Sequence, residues 1–566
     1  MQENILEIED LSVSFDDAKV VKNVSLQVEA GKVMAIVGES GSGKSITSLS
    51  ILRLLSSKAN IKGSILLSAS EKKTDLLQAT DKMMEGFRGN KIAMVFQEPM
   101  TSLNPVITCG AQVTEVLLTH KKAGKEDARR RAIELFEQVK LPNPVQVYDR
   151  YPHELSGGQK QRVMIAMAMI CSPSLLICDE PTTALDVLVQ QDILVLIKQL
   201  QLQNNMSVIF ISHDLNIVAK IADRIAVMYK GEILEQGNVN DIFTNPKHAY
   251  TKALLACRPA LYDKGTILPV VSDFLHPDSK DGKKTVSNIS TDSSKEKSTK
   301  IPSVERTNKV ILAAQNICVW YPVNKNFFGK TNDYVKAVDD ISFELHCGET
   351  MGVVGGSGSG KTTLGRALLR LIEPTSGEII FDGENILQLK QDAMRKLRTK
   401  MQLIFQDPYS SLNPSKTIGE AIAEPLLVHN IYPKNEVKEI VENWLEKVNL
   451  KADFYNRYPH EFSGGQRQRV VIARALAMKP SFVICDESVS ALDVSVQAQV
   501  LNLFNELKAE LGFSSIFISH DLSVVKYLCD RVIVMNKGKI EETGKAEEVY
   551  YSPKSTYTKA LLAAVE

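Results

Sequence analysis

Two segments of this 566-residue chain have the residue types and spacing to hold a phosphate chain. The first is Gly38, Glu39, Ser40, Gly41, Ser42, Gly43, Lys44 and Ser45. The second is Gly355, Gly356, Ser357, Gly358, Ser359, Gly360, Lys361 and Thr362. Both fit GxxxxGK[ST]. The glycines let the backbone wrap an anion, and the loop N–H groups point at it. Lys44 and Lys361 are expected to reach the β- and γ-phosphates, and Ser45 and Thr362 to place a hydroxyl on Mg²⁺. A glycine-rich strand-to-helix turn would explain one match. It does not explain two, each followed by the same downstream series.

That series begins with paired carboxylates. Asp179 and Glu180 end one apolar run, and Asp486 and Glu487 end another. A solvated turn is the plain reading of an acidic pair. Beside a phosphate loop, the first carboxylate can hold the Mg²⁺ shell and the second can orient and polarise an attacking water. Asp179 and Asp486 are assigned to the metal, Glu180 and Glu487 to the water. Gln97 and Gln406 sit in matching Phe-Gln-(Glu/Asp)-Pro settings, as metal or water ligands on a movable loop. A strand-end glutamine is otherwise structural. His213 and His520 each lie 33 residues beyond the acidic pair and follow a buried-looking strand. A lone histidine there is usually a satisfied core residue; the matching setting favours a γ-phosphate contact.

The elements that must position these groups are legible too. Residues 32–37 and 350–354 are short β-branched runs, read as buried strands that lead into the two loops, with helices after them. The acidic pairs and histidines close further strands of the same kind. The whole series occurs twice. Tyr151-Pro-His-Glu-Leu-Ser-Gly-Gly-Gln159 returns as Tyr458-Pro-His-Glu-Phe-Ser-Gly-Gly-Gln466, and the acidic pairs and histidines return at the same separation. This is a tandem duplication of a whole domain. Between the copies, residues 276–307 are rich in Ser, Lys, Asp and Thr and poor in aliphatic side chains. They cannot bury enough apolar surface to order themselves, so they are expected to be a flexible tether with a reach of about 30 Å. A partner-binding tail is the alternative. The expected organisation is a first domain at 1–258, a linker at 259–308 and a second domain at 309–566, all of α/β class.

Composition narrows the function. Lys plus Arg total 67, as do Asp plus Glu, which argues against a main role in coating nucleic acid. The longest uncharged stretch, residues 163–178, is interrupted by Pro173 and is too short to span a bilayer. Residues 1–7 show no basic region followed by an apolar one, so no secretory signal is expected. The eight cysteines form no CxxC pair, which fits a reducing compartment and neither disulfides nor a zinc cluster.

In these motifs the chain resembles the ATP-binding cassette superfamily over nearly its full length, the tether excepted. The two glycine loops look like Walker A. Ser156, Gly157, Gly158 and Gln159, and Ser463, Gly464, Gly465 and Gln466, look like the family signature. Residues 184–186 and 491–493 look like the D-loop. Phe15 and Tyr321 sit where the family places an aromatic on adenine. The resemblance implies two P-loop cassettes, each a mixed β core with a helical subdomain, forming a head-to-tail dimer within one chain. Each ATP, with Mg²⁺, would lie between the Walker A loop of one half and the signature of the other. Phe462 in place of the usual signature Leu, and Ser488 where Pro181 stands in the first half, remove no catalytic group, so two competent sites are expected.

The loops at 97–105 and 406–414 and the tails at 245–255 and 552–562 resemble those of dipeptide, oligopeptide and nickel importer ATPases; the fused form is similar to glutathione, microcin and dipeptide importer ATPases. An amphipathic cap is the plainer reading of the tails. Only Cys257 stands where some relatives carry a cysteine cluster, so no iron–sulfur cluster is expected. The resemblance implies two integral-membrane permease subunits as partners, gripped by the helical subdomains at 97–155 and 406–462. It also implies an extracytoplasmic solute-binding protein, no nucleic acid, and a place at the cytoplasmic face of the bacterial inner membrane. The competing class is a soluble tandem ATPase acting on ribosomes or DNA. Residues 276–307 lack the charged helical pattern of the ribosomal linkers, and no zinc insertion is present.

Overall fold

The computed structural model describes residues 3–68, 73–97, 102–183, 185–275, 307–325, 331–490 and 492–565. They form two compact units. One comprises residues 1–185 with 189–255, the other residues 186–188 with 256–566. Residues 276–306 of the expected tether, Glu98 to Thr101 of the first glutamine loop, and Ala184 and Ala491 of the D-loop motifs lie outside the described residues.

The first unit contains two sheets. Strands β1 (Asn4–Phe15), β2 (Ala18–Glu29), β4 (Ala59–Leu67) and β5 (Thr74–Asp75) form an antiparallel sheet in the order β2-β1-β4-β5. The second sheet uses β3 (Val33–Val37), β6 (Ile92–Val95), β7 (Leu175–Asp179), β8 (Ser207–Ser212), β9 (Arg224–Tyr229) and β10 (Glu232–Asn238) in the order β10-β9-β3-β8-β7-β6. It is parallel except for the edge pair β9–β10. Every residue of β3, β7 and β8 is buried, as expected of parallel strands covered on both faces. This is why they read in the sequence as unbroken apolar runs rather than alternating ones.

The second unit repeats this topology. Strands β11 (Val310–Lys325), β12 (Thr331–His346), β14 (Ser376–Phe381) and β15 (Glu384–Asn385) make the antiparallel sheet. The parallel sheet runs β16 (Met401–Ile404), β17 (Phe482–Asp486), β18 (Ser514–Ser519), β13 (Thr350–Val354), β19 (Arg531–Asn536) and β20 (Lys539–Lys545), with β20 antiparallel at its edge. In each unit one apolar core joins the two sheets, with Ile51 or Leu368 of the helix after the glycine loop packed into it.

Helices fill the expected subdomains: Cys109–Thr119, Lys125–Gln138 and Pro144–Asp149 in the first unit, Ile418–Val428 and Val437–Lys447 in the second. A capping box starts Ile418–Val428: Thr417 Oγ1 accepts from Glu420 N, and the Glu420 carboxylate accepts from Thr417 N. All eight cysteines are free, and among the described residues no helix is long and apolar enough to cross a membrane. Residues 259–275, counted with the linker on sequence grounds, pack within the second unit.

Candidate active site

In each unit the chemistry-bearing residues gather at the carboxyl ends of three neighbouring strands, where open α/β sheets place their ligands. The first glycine loop follows β3, Asp179 ends β7, and His213 follows β8. The second follows β13, Asp486 ends β17, and His520 follows β18.

Gly38 and Gly355 make the turn out of the strand at φ 155° and 154°. A Cβ at Gly38 would sit 2.0 Å from the Met228 carbonyl oxygen, and one at Gly355 would sit 2.2 Å from that of Met535. No larger residue fits. The helices Lys44–Ile51 and Lys361–Leu368 start directly after the loops, so their N–H ends face the loop interior. Lys44 and Lys361 are buried. Lys44 Nζ donates to the carbonyls of Gly38 at 2.8 Å and Glu39 at 2.9 Å, and Lys361 Nζ to those of Gly355 at 2.8 Å and Gly356 at 3.0 Å. Burial lowers the Lys361 pKa, against the opposing pull of Glu487. The hydroxyls of Ser42 and Ser359 are buried with no hydrogen-bond partner. Polar groups buried without a partner in both loops fit a cradle for an anion.

Ser45 Oγ donates to Asp179 Oδ1 at 3.0 Å, and Thr362 Oγ1 to Asp486 Oδ1 at 3.0 Å. Burial raises the pKa of both aspartates, with the hydroxyls pulling the other way. Among the described residues no group of three or more His, Cys, Asp or Glu side chains could hold a metal alone. A hydroxyl held to a single carboxylate instead suits Mg²⁺, which keeps several waters and takes phosphate oxygens as further ligands. The residues present therefore fit that ion.

Glu180 and Glu487 adopt left-handed backbone, φ 46° and 47°, a strain retained in both copies. His213 Nδ1 lies 3.2 Å from Glu180 Oε2, and His520 Nδ1 3.6 Å from Glu487 Oε2. Burial opposes ionisation of Glu180, but His213, Lys44 and Thr183 outweigh it and hold its pKa at about 2. The Glu487 pKa is lowered likewise, burial being outweighed by His520 and Lys361. The histidines are set by a small turn: Ser212 Oγ accepts from Asp214 N, and Ser519 Oγ from Asp521 N, each at 3.0 Å.

Gln97 Nε2 donates to Glu180 Oε2 at 3.2 Å, and Gln406 Nε2 to Glu487 Oε2 at 2.7 Å. The structure thus brings both glutamines to the carboxylate assigned to water, not to the Ser/Thr–Asp pair. Ser156 and Ser463 are exposed N-caps of the helices Gly157–Met169 and Gly464–Leu476, closed by capping boxes with Gln159 and Gln466. Phe15 is half-buried at the end of β1, and Tyr321 is exposed on β11.

Two features were missed in the sequence. Thr183 Oγ1 donates to Glu180 Oε2 at 3.0 Å, whereas its counterpart Ser490 donates to the Glu487 carbonyl at 2.9 Å. From the tails, the Tyr250 hydroxyl accepts from Glu39 N at 3.2 Å, and the Tyr557 hydroxyl from Gly356 N at 2.9 Å. The repeated Tyr-Thr-Lys-Ala-Leu-Leu was the available signal.

The chain is similar to known proteins along its length. The ABC transporter family model matches residues 21–183 and 338–490, and that of the oligopeptide/dipeptide transporter C-terminal region matches 234–273. The glutathione import ATP-binding protein GsiA of Pectobacterium atrosepticum is 45% identical, over 100% of this chain and 90% of its own. That of Escherichia coli K12 is 45% identical, over 99% and 89%. Among solved structures, a dimeric ATP-binding cassette in a post-hydrolysis state with ADP and Pi is 28% identical, over 42% of this chain and 98% of its own, at a TM-score of 0.38. The chain belongs to the ATP-binding cassette (ABC) transporter family, as a tandem pair of its ATPase cassettes.

Proposed function

We propose that this chain is the ATP-hydrolysing subunit that energises a bacterial importer of peptides or related small solutes. One observation carries the reading. Each unit sets the same lysine, hydroxyl, aspartate, glutamate, glutamine and histidine at the ends of equivalent strands. It does so in a chain similar over its whole length to glutathione import ATP-binding proteins.

In this account the cassettes close head to tail around two ATP molecules. Lys44, Asp179, Glu180 and His213 work with Ser463, Gly464 and Gly465. Lys361, Asp486, Glu487 and His520 work with Ser156, Gly157 and Gly158. Each signature serine stands exposed at a helix N-terminus, where a hydroxyl and N–H groups can meet a γ-phosphate. Phe15 and Tyr321 would stack on adenine. Ser45 with Asp179, and Thr362 with Asp486, would hold Mg²⁺, which when bound neutralises charge on the phosphate oxygens. A glutamate pKa of about 2 leaves Glu180 ionised at neutral pH. Its role is then to accept a hydrogen bond from the attacking water and orient it, with Gln97 and His213 fixing the carboxylate. Loss of the γ-phosphate removes the bridge and lets the cassettes part.

The pore belongs to other chains: two permease subunits gripped by the helical subdomains, with an extracytoplasmic binding protein delivering solute. The chain would sit peripherally at the inner face of the membrane. Affinity purification from solubilised membranes tests this. Recovery of two integral-membrane permeases, with ATP turnover raised by solute-loaded binding protein, is the expected result. Recovery with ribosomes and without membrane proteins would sink it.

A further inference from the structure

Residues 259–275 run over a face of the second unit that recognises mainly backbone, with one side-chain ion pair. Asn502 pairs with Leu268 as a strand would: its Oδ1 accepts from Leu268 N at 2.9 Å and its Nδ2 donates to Leu268 O at 2.8 Å. The Tyr527 hydroxyl donates to Thr266 O at 2.6 Å and takes a bond from Asn505 Nδ2 at 3.2 Å. Lys526 Nζ reaches Ala260 O at 3.4 Å. Lys264 forms an ion pair with Asp530, whose other oxygen accepts from Thr350 N at the start of β13. Leu268 is 1% exposed, Tyr527 0% and Asn502 9%. Polar groups that deep must be paired, and here the pairing is with an extended peptide.

The face is not repeated. The first-unit positions that align with Asn502, Lys526 and Tyr527 are Val195, Ala219 and Lys220, all exposed. None offers the buried amide or hydroxyl that reads a backbone.

We propose that the face formed by Asn502, Lys526, Tyr527 and Asp530 is a docking surface for one extended segment of the same chain, residues 260–271. This dock, and not only the continuity of residues 276–306, holds residues 256–275 on the rest of the second unit. Residues 256–275 and 307–566 belong to one unit, so the dock spans a break made between them. It also admits one partner in one order, because only the second cassette carries the face and only residues 260–271 follow the first.

A specific protease site placed after Ser290 of the full chain, cut to completion, tests this without nucleotide. The two fragments are expected to elute together at the size of the intact chain. In the N502V/Y527K variant, which carries the first cassette's residues on this face, they are expected to separate. The strap-side variant L268D, which leaves the second cassette's own core untouched, is expected to do the same. In the uncut chain, N502V should speed exchange of the Leu268 amide by about tenfold or more, the effect of one lost buried hydrogen bond. Fragments that part in the otherwise wild-type chain, fragments that stay together in both variants, or an unchanged Leu268 exchange rate would each overturn the proposal.

Discussion

His213 Nδ1 lies 3.2 Å from Glu180 Oε2, and His520 stands in the same relation to Glu487 at 3.6 Å. In each case the glutamate follows one strand and the histidine follows its parallel neighbour. A glutamate held by a histidine, a glutamine and a lysine field stays ionised, and that is the state an orienting acceptor for water needs.

Replacing either glutamate by glutamine removes the charge and keeps the shape. E180Q and E487Q are each expected to lose at least about half of the steady-state phosphate release, and the double variant about 100-fold or more. A double variant retaining more than about a tenth of the turnover would remove these residues from the mechanism.

The second histidine pair gives a pH signature. Burial alone would lower the His520 pKa, but Glu487 raises it; Glu487 is itself lowered. The His520 contribution to stability is full below its unfolded value and is lost as pH rises through the raised folded value. The Glu487 contribution is present above its unfolded value and is lost as pH falls through the lowered folded value. The pair is therefore strongest between about pH 4.5 and 6.5. Both tryptophans, Trp320 and Trp444, lie in the second unit, so their fluorescence follows its unfolding alone. The urea-midpoint gap between wild type and H520A should peak in that window and narrow on both sides. A gap flat across pH contradicts the pairing.

Adjacent signature glycines differ in the room they leave for a side chain. A Cβ at Gly465 would lie 2.2 Å from Val496 Cγ1, whereas one at Gly464 meets nothing within 4 Å. G465A is expected to destabilise the second unit by about 1–3 kcal/mol through overpacking. G464A should be neutral or stabilising by up to about 1 kcal/mol, since alanine favours the helix. Tryptophan-monitored urea unfolding reads both. Equal losses would mean the helix is packed differently.

The tail tyrosines support the glycine loops from behind. Y250F leaves the Glu39 N–H without its acceptor, and Y557F does the same to Gly356. Each is expected to weaken ATP binding at its own loop by about tenfold, with the unit still folded. Calorimetric titration of each variant checks this; unchanged affinity at both loops would leave the tyrosines a packing role only.

Much of the site was legible because its parts are local. The Gly38–Ser45 loop carries its own mechanism in eight residues. The run into Asp179 reads as a buried parallel strand because both of its faces are covered. What escaped depends on distant partners. Nothing in the residues around Gln97 says that its amide will find Glu180 rather than the Ser45–Asp179 pair. Tyr250 looks like an ordinary helix residue until the chain brings it 211 positions back to Glu39. The segment at 260–271 was invisible for a different reason: Asn502, Lys526 and Tyr527 hold its carbonyls and one N–H, and backbone recognition leaves no side-chain pattern to read.

One chain is expected to carry two complete ATP sites. Equilibrium binding of ATP with Mg²⁺ to the E180Q/E487Q double variant, which should bind without turnover, tests it most directly. Two ATP molecules held per chain are expected. One per chain, or none, would contradict it.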